Sequence, residues 1–395
     1  MNGRDLLRGL SCFDAEDDAD IAFQLATPSD HTMGNTLTRY VDGKIHEQLG
    51  ERRKITLVPS RQRSGSVVLS KREKRDKLFN WQRPALELVG KDQARLHVFP
   101  GRDYLLHYGL LVEAWHRFNG KRPPDVIVKA VTKAETWNAL DLDLIVHPTV
   151  IMGYVEPVRA ASSDWSAWEG TGAFQVSHHG NGGVSLLGCK HSYWGDIAGV
   201  LLWKLSRLGV RRLLYVGKLG SLRDDLMPNE TLVTGTTSLI GGVVVDWSES
   251  DFGRELTDVQ RVRHVHLPST MLETRAWAVK ARTIADVVDP EIGHLGRSAL
   301  DCGLSFGYLH LVTDNLLEVT GVGLHNERRT ILSGEDGEVW LAAIGRSPRV
   351  QRSRSTRRLT LSTSAVPSNT VPSTPHRDFP SADGESCGRA GGLRP

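Results

Sequence analysis

From about residue 91 the chain alternates short apolar runs with stretches of helical spacing, the pattern of an α/β domain. Arg95–Phe99 predicts a strand, Pro100–Asp103 a turn and Tyr104–Phe118 a helix. Asp125–Val131, Leu142–Val146 and Thr149–Tyr154 read as further strands, the last two parted by His147-Pro148. Phe174–Ser177 and Val184–Leu187 flank a glycine-rich loop and predict a hairpin. Ser192–Leu208 spaces Ile197, Val200, Leu201, Leu205 and Leu208 as a helix does, and Gly209 suits its C-terminal cap. A buried strand, Arg212–Val216, follows, then strands Thr231–Gly235 and Gly242–Asp246. Helical stretches at about 272–285 and 291–302 lead to a closing strand, Phe306–Thr313.

The two ends differ from this middle. Residues 346–395 are rich in Ser, Thr, Pro, Gly and Arg and hold too few apolar residues to repay the entropy of ordering, which predicts a disordered basic tail. Residues 1–90 form an N-terminal extension, expected to be partly ordered, with no function assigned. Its apolar runs Ile55–Val58 and Ser66–Leu69 alternate with basic clusters and read as a hairpin with charged ends. No aromatic platform is interleaved there, so nucleic acid is not an expected partner.

Composition narrows the class. In 395 residues, 39% are hydrophobic and the net charge is +3, which selects no particular partner. Cys12, Cys189, Cys302 and Cys387 show no CxxC pair and read as free thiols in a reducing compartment. The N-terminus is too acidic for a secretion signal, and no apolar run is long enough to span a membrane, so a cytoplasmic protein without membrane contact is expected. His178, His179 and His191 cluster in sequence, but no carboxylate or cysteine stands at ligand spacing, and no metal is expected.

Four pieces between Val184 and Asn315 give the chain a likeness. They are GVSLLGCKHSYWG, LGVRRLLYVGKLGSLRDDLMPNETLVTG, VHLPSTMLETRAWAVKARTIADVVDPE and LSFGYLHLVTDN, in that order. Together they resemble the nucleoside phosphorylase/nucleosidase superfamily, which includes purine nucleoside and uridine phosphorylases and methylthioadenosine and AMP nucleosidases. The resemblance implies a three-layer α/β fold around a mixed, twisted sheet, over about 91–345. It also implies a homo-oligomer that binds a nucleoside or nucleotide and cleaves its N-glycosidic bond. VFPGRDYLLHYGLL (98–111) is the best candidate for the family's first strand and phosphate loop, with Arg102 in it.

The chemistry that the resemblance implies falls on a few residues. Asp314, at the end of the closing strand, matches the aspartate that protonates or hydrogen-bonds the leaving purine. Read alone, Thr313-Asp314-Asn315 also suits a strand-end cap. Glu291 matches the glutamate that accepts hydrogen bonds from the ribose hydroxyls, although an acidic residue also suits a helix N-terminus. Pro290 replaces the family's methionine. The segment Gly217–Ser221 is expected to form a turn after Arg212–Val216. There Tyr215 and Lys218 stand where phosphorylases carry arginine and serine or threonine, and a tyrosine cannot replace a guanidinium fork. Lys190 and His191, in the loop after Val184–Leu187, are candidates to face the anion or nucleophile.

The leading expectation is therefore hydrolytic cleavage without a cofactor. A phosphorylase using inorganic phosphate as co-substrate is the enzymatic alternative. A catalytically inactive nucleoside-binding sensor or effector of the same fold is the other.

Overall fold

The computed structural model describes residues 27–50, 52–61, 67–71, 79, 83–180, 182–256 and 259–317. The expected tail, the first 26 residues and positions 318–345 of the expected domain lie outside them.

The N-terminal part builds a five-stranded sheet in the order β2-β3-β4-β1-β5 from β1 (Lys54–Pro59), β2 (Val67–Val68), β3 (Ala85–Leu88), β4 (Gln93–Val98) and β5 (Asp125–Val128). Strand β1 lies between β4 and β5, parallel to both, with Ile55 and Leu57 fully buried. Its expected hairpin with the run around Val67 does not form; Val67–Val68 pairs with β3 instead. Both backbone edges of β1 are taken by β4 and β5, so no edge is left for Val67–Val68. A boundary at residue 91 would cut the β3–β4 hairpin, and described residues on both sides of it belong to one compact unit.

Helix α1 (Thr36–Lys44) buries Leu37 and Val41, and α2 (Arg102–Phe118) is buried along most of its length, including Leu105, Leu106, Leu110 and Leu111. Helix α3 (Lys133–Ala139) begins with a capping box, in which Thr132 and Glu135 each bond the other's backbone N–H. The expected strand at Leu142–Val146 is irregular chain: Leu142 is buried, but Ile145 is 85% exposed, so no partner strand covers the run.

The larger sheet has eleven strands: β6 (Thr149–Gly153), β7 (Phe174–His178), β8 (Val184–Cys189), β9 (Arg212–Ser221), β10 (Leu232–Thr234), β11 (Thr237–Ile240), β12 (Val243–Asp246), β13 (Gln260–Arg261), β14 (His264–His266), β15 (Val287–Asp289) and β16 (Ser305–Asn315). Strand β9 is its hub. It is parallel to β6 and β16, and its far end is antiparallel to β15.

Side chains alternate across this hub. Val150, Met152, Leu213 and Tyr215 join one core with α5 (Asp196–Arg207) and α7 (Ile292–Cys302). Ile151, Leu214 and Val216 join another with α4 (Val155–Ala160). Helices thus cover both faces, and the fold is a three-layer, mixed α/β one. The short α6 (Arg275–Ala281) lies between β14 and β15 in sequence.

Two corrections bear on the site. The first strand of the large sheet is β6, not the run at Val98, because β4 belongs to the other sheet. The stretch 98–111 is therefore not the first strand and loop of this sheet. In addition, Gly217–Ser221 is not a turn. Strand β9 runs through it, paired with β16 as far as Ser221. No left-handed glycine occurs there; a side chain at Gly217 would collide with the ring of His310, at 2.5 Å. The glycine is needed for close approach rather than for bending.

Candidate active site

Three helix N-termini converge: α2 after Gly101, α5 after Gly195 and α7 at Glu291. Each leaves backbone N–H groups without partners inside its own helix. Acidic side chains take them up. Asp196 accepts from the backbone N–H groups of Arg102 (3.0 Å) and Asp103 (3.1 Å), while Asp103 accepts from that of Asp196 (3.2 Å). The two helices therefore cap each other. Gly195 has φ +59, and a Cβ there would strike the Asp103 carboxyl, so only glycine lets the loop 190–195 pass. This is also why α5 starts at Asp196 and not at the expected Ser192.

Asp289 serves α7 in the same way, accepting from the N–H groups of Glu291 (2.8 Å) and Ile292 (2.6 Å). It is the last residue of β15, and its register partner on β14 is His266. His264 Nε2 lies 3.4 Å from one of its oxygens and His310 Nε2 lies 3.8 Å from the other. Burial pushes the Asp289 carboxyl upward, but the two histidines outweigh it and hold the group below the usual carboxylate range. The His264 ring is oriented by the Ser238 hydroxyl at 2.8 Å from Nδ1.

Glu291 is buried beside this anion. The hydroxyl of Tyr215 donates to its Oε2 at 3.3 Å, and the Gly195 N–H also bonds it. Burial first, and then the Asp289 charge, raise its pKa well above the usual carboxyl range. Burial and the same carboxylates raise the Tyr215 phenol as well. The pair is thus a neutral tyrosine donating to a carboxyl that resists ionisation.

A second cluster adjoins the first. His294 Nε2 lies 2.9 Å from Asp103 Oδ2, and His266 Nε2 lies 3.6 Å from the same atom. Burial drives the Asp103 carboxyl upward, yet Arg102 and His294 hold it well below its ordinary range. Its neighbour Asp196 is pushed up to about 6, by burial first and then by the Asp103 charge. Burial lowers His266 to about 3 and His310 to about 4, so both rings are neutral. Among the residues of these two clusters, Asp103, His266 and His294 could hold a metal ion.

The residues singled out in the sequence divide between this centre and its surroundings. Glu291 and Tyr215 meet in it, and Arg102 borders it, with its Nε 3.3 Å from Asp103 Oδ1. Gly217 lies against the His310 ring. His191 stacks on Phe99 with ring centroids 4.9 Å apart, while Lys190 bonds through its backbone N–H to the Ala173 carbonyl. Lys218 sits 4.8 Å over the Tyr154 ring.

Asp314 is elsewhere on the hub. A bulge between Val312 and Asp314 sets it opposite Gly220, five positions along β9 from Tyr215. The hydroxyl of Thr313 donates to it at 2.8 Å, and its charge contributes to the raised pKa of the buried Glu273, after burial itself.

Sequence reasoning missed Asp103, Asp196, Asp289, Glu273 and the histidines at 264, 266, 294 and 310. The alternation His264-Val265-His266 was a usable signal, since buried strands seldom carry two histidines without partners. Nothing in local sequence ties Asp103 to Asp196.

No family model matches the chain, and no curated protein matches it. Solved structures do. A futalosine hydrolase mutant of Helicobacter pylori strain 26695 has 11% identity and a TM-score of 0.38, covering 50% of this chain and 99% of that one. The 5'-methylthioadenosine/S-adenosyl homocysteine nucleosidase of Helicobacter pylori has 14% identity and a TM-score of 0.40, covering 51% and 99%. A purine nucleoside phosphorylase from Toxoplasma gondii has 13% identity and a TM-score of 0.37, covering 50% and 90%. These structures that the chain is similar to are all members of the nucleoside phosphorylase/nucleosidase superfamily.

Proposed function

We propose that the protein cleaves the N-glycosidic bond of a purine nucleoside or nucleotide, with water as the nucleophile. The observation that carries this reading is the buried Glu291 carboxyl at the start of α7, fixed by the Tyr215 hydroxyl and the Gly195 N–H. In this reading the Glu291 carboxyl hydrogen-bonds the ribose diol, and the positive charge that develops on the sugar as it takes on oxocarbenium character favours its ionised form. Asp314 supplies the proton or hydrogen bond to the departing base. Tyr215 or His191 orients water, which needs no cradle of fork-shaped donors. Lys218 supplies positive charge without the bidentate geometry that a phosphate nucleophile needs, and the Arg102 guanidinium is engaged by Asp103.

The test is a panel of nucleosides and nucleotides, incubated with and without phosphate and followed for free base. Release of base and free sugar at a rate indifferent to phosphate supports the proposal; ribose 1-phosphate formed only with phosphate replaces it with phosphorolysis.

A second reading, ligand binding without turnover, has its own support. Asp314 faces Gly220 and Glu273, whereas Glu291 is engaged by Tyr215, Gly195 and Asp289. Tight binding of a nucleoside with no base released by any of the panel selects this reading.

A further inference from the structure

We propose that Asp103, His266 and His294 form a binding site for one divalent transition-metal ion of the zinc class. The three residues come from α2, β14 and α7, and each offers one ligand atom, all within 4.8 Å of one another. Ligands about 2.0–2.1 Å from a tetrahedral zinc stand roughly 3.3 Å apart. The spacings of 2.9 Å and 3.6 Å from Asp103 Oδ2 to the two imidazoles bracket that value.

The independent pointer is His266. Its side chain is only 4% exposed, and neither of its ring nitrogens makes a hydrogen bond. A buried imidazole with neither nitrogen engaged has lost its hydrogen bonds to water at both positions and regained none. A cation at Nε2 would engage the lone pair of that nitrogen, which is the bond a metal takes.

Charge and chemistry agree with a cation. Asp103 and Asp196 are two carboxylates, offset by the single guanidinium of Arg102. That guanidinium engages Asp103 Oδ1, whereas Oδ2 faces both imidazoles. Asp103 Oδ2 also accepts the Asp196 N–H, an outer contact that fixes the carboxylate's orientation. Two imidazoles and one carboxylate suit zinc, cobalt or nickel better than magnesium, which prefers oxygen ligands and retains its water. Three protein ligands leave a position for water. Where the nitrogen of His294 that faces Asp103 carries a proton, binding displaces it to solvent. The inference does not rest on the roles proposed for Glu291 and Asp314 in glycosidic cleavage.

The experiment uses the full chain, stripped with a chelator and titrated with zinc against a competing chelator dye, and with cobalt(II) followed by its visible absorption. Uptake of a single equivalent is expected, with cobalt bands characteristic of nitrogen and oxygen ligation and no response to magnesium. His266→Ala and His294→Ala should each weaken binding by more than about 100-fold, since even an outer-shell change typically costs 10–100-fold. His178→Ala, away from the site, should leave it unchanged. Circular dichroism of each variant separates lost binding from lost folding, and the wild-type cobalt spectrum stands whether or not a variant folds. Failure of the wild type to take up zinc or cobalt stoichiometrically, or uptake that survives both substitutions in folded protein, overturns the proposal.

Discussion

The Tyr215 hydroxyl and Glu291 Oε2 lie 3.3 Å apart, and both groups are buried. The phenol takes up one lone pair of a carboxyl that has little access to water. Tyr215→Phe removes that donor and leaves the carboxyl under-bonded, a change that typically costs ~1–3 kcal/mol. Thermal or denaturant unfolding should therefore show Tyr215→Phe destabilised, and Tyr215→Phe/Glu291→Leu less destabilised than the two single changes summed. Strict additivity would show that the contact carries no energy.

In the proposed reaction, Asp314→Asn keeps the size of the side chain but cannot donate an acid proton. A positioned acid typically contributes ~100–10,000-fold. Base release from a purine substrate should fall within that range, with the unfolding midpoint little changed. Turnover at the wild-type rate would remove Asp314 from the chemistry.

Glu273 gives a pH dependence whose sign is fixed. Burial first, and then the Asp314 charge, raise its pKa well above the usual carboxyl value. The folded state therefore binds a proton that the unfolded chain has released. The stability from Glu273 is complete below the ordinary carboxyl pKa and is lost as pH rises towards the raised one. Glu273→Gln removes this titration, so the variant should be more stable than wild type at neutral pH and should flatten that part of the stability profile. Parallel profiles for the two proteins would contradict the assignment.

Gly217→Ala tests the packing of β9 against β16. The added methyl meets the fully buried His310 ring at 2.5 Å, and overpacking typically costs ~1–3 kcal/mol. A lowered melting temperature is expected, larger than for Gly172→Ala, where nothing lies within 4 Å.

How much of this was legible in the sequence depended on the range of the interaction. Gly209, with φ +90, ends α5 where the spacing of Leu205 and Leu208 placed the cap, because a cap is set by a few consecutive residues. The start of α7 after Glu291 is local in the same way. Leu142–Val146 looked like a strand from its apolar content, but pairing decides strands, and no partner reaches it. Gly217–Ser221 looked like a turn because glycine permits one; the close approach of His310, from almost a hundred residues away, is what the glycine serves. Tyr215 and Glu291 were each singled out on a resemblance, and only the fold put one against the other. The imidazoles at 266 and 294 and the carboxylate of Asp103 are separated by loops and whole elements, so no spacing rule could have gathered them.

The mutual capping of α2 and α5 through Asp103 and Asp196 makes each helix start the other's missing solvent. A chain cut between the two sheets would strand both carboxylates and the backbone donors they serve. The five-stranded sheet is therefore not a detachable accessory. The two sheets should melt together in one calorimetric transition, and hydrogen exchange at Arg102, Asp103 and Asp196 should open at the same free energy although almost a hundred residues of chain lie between them.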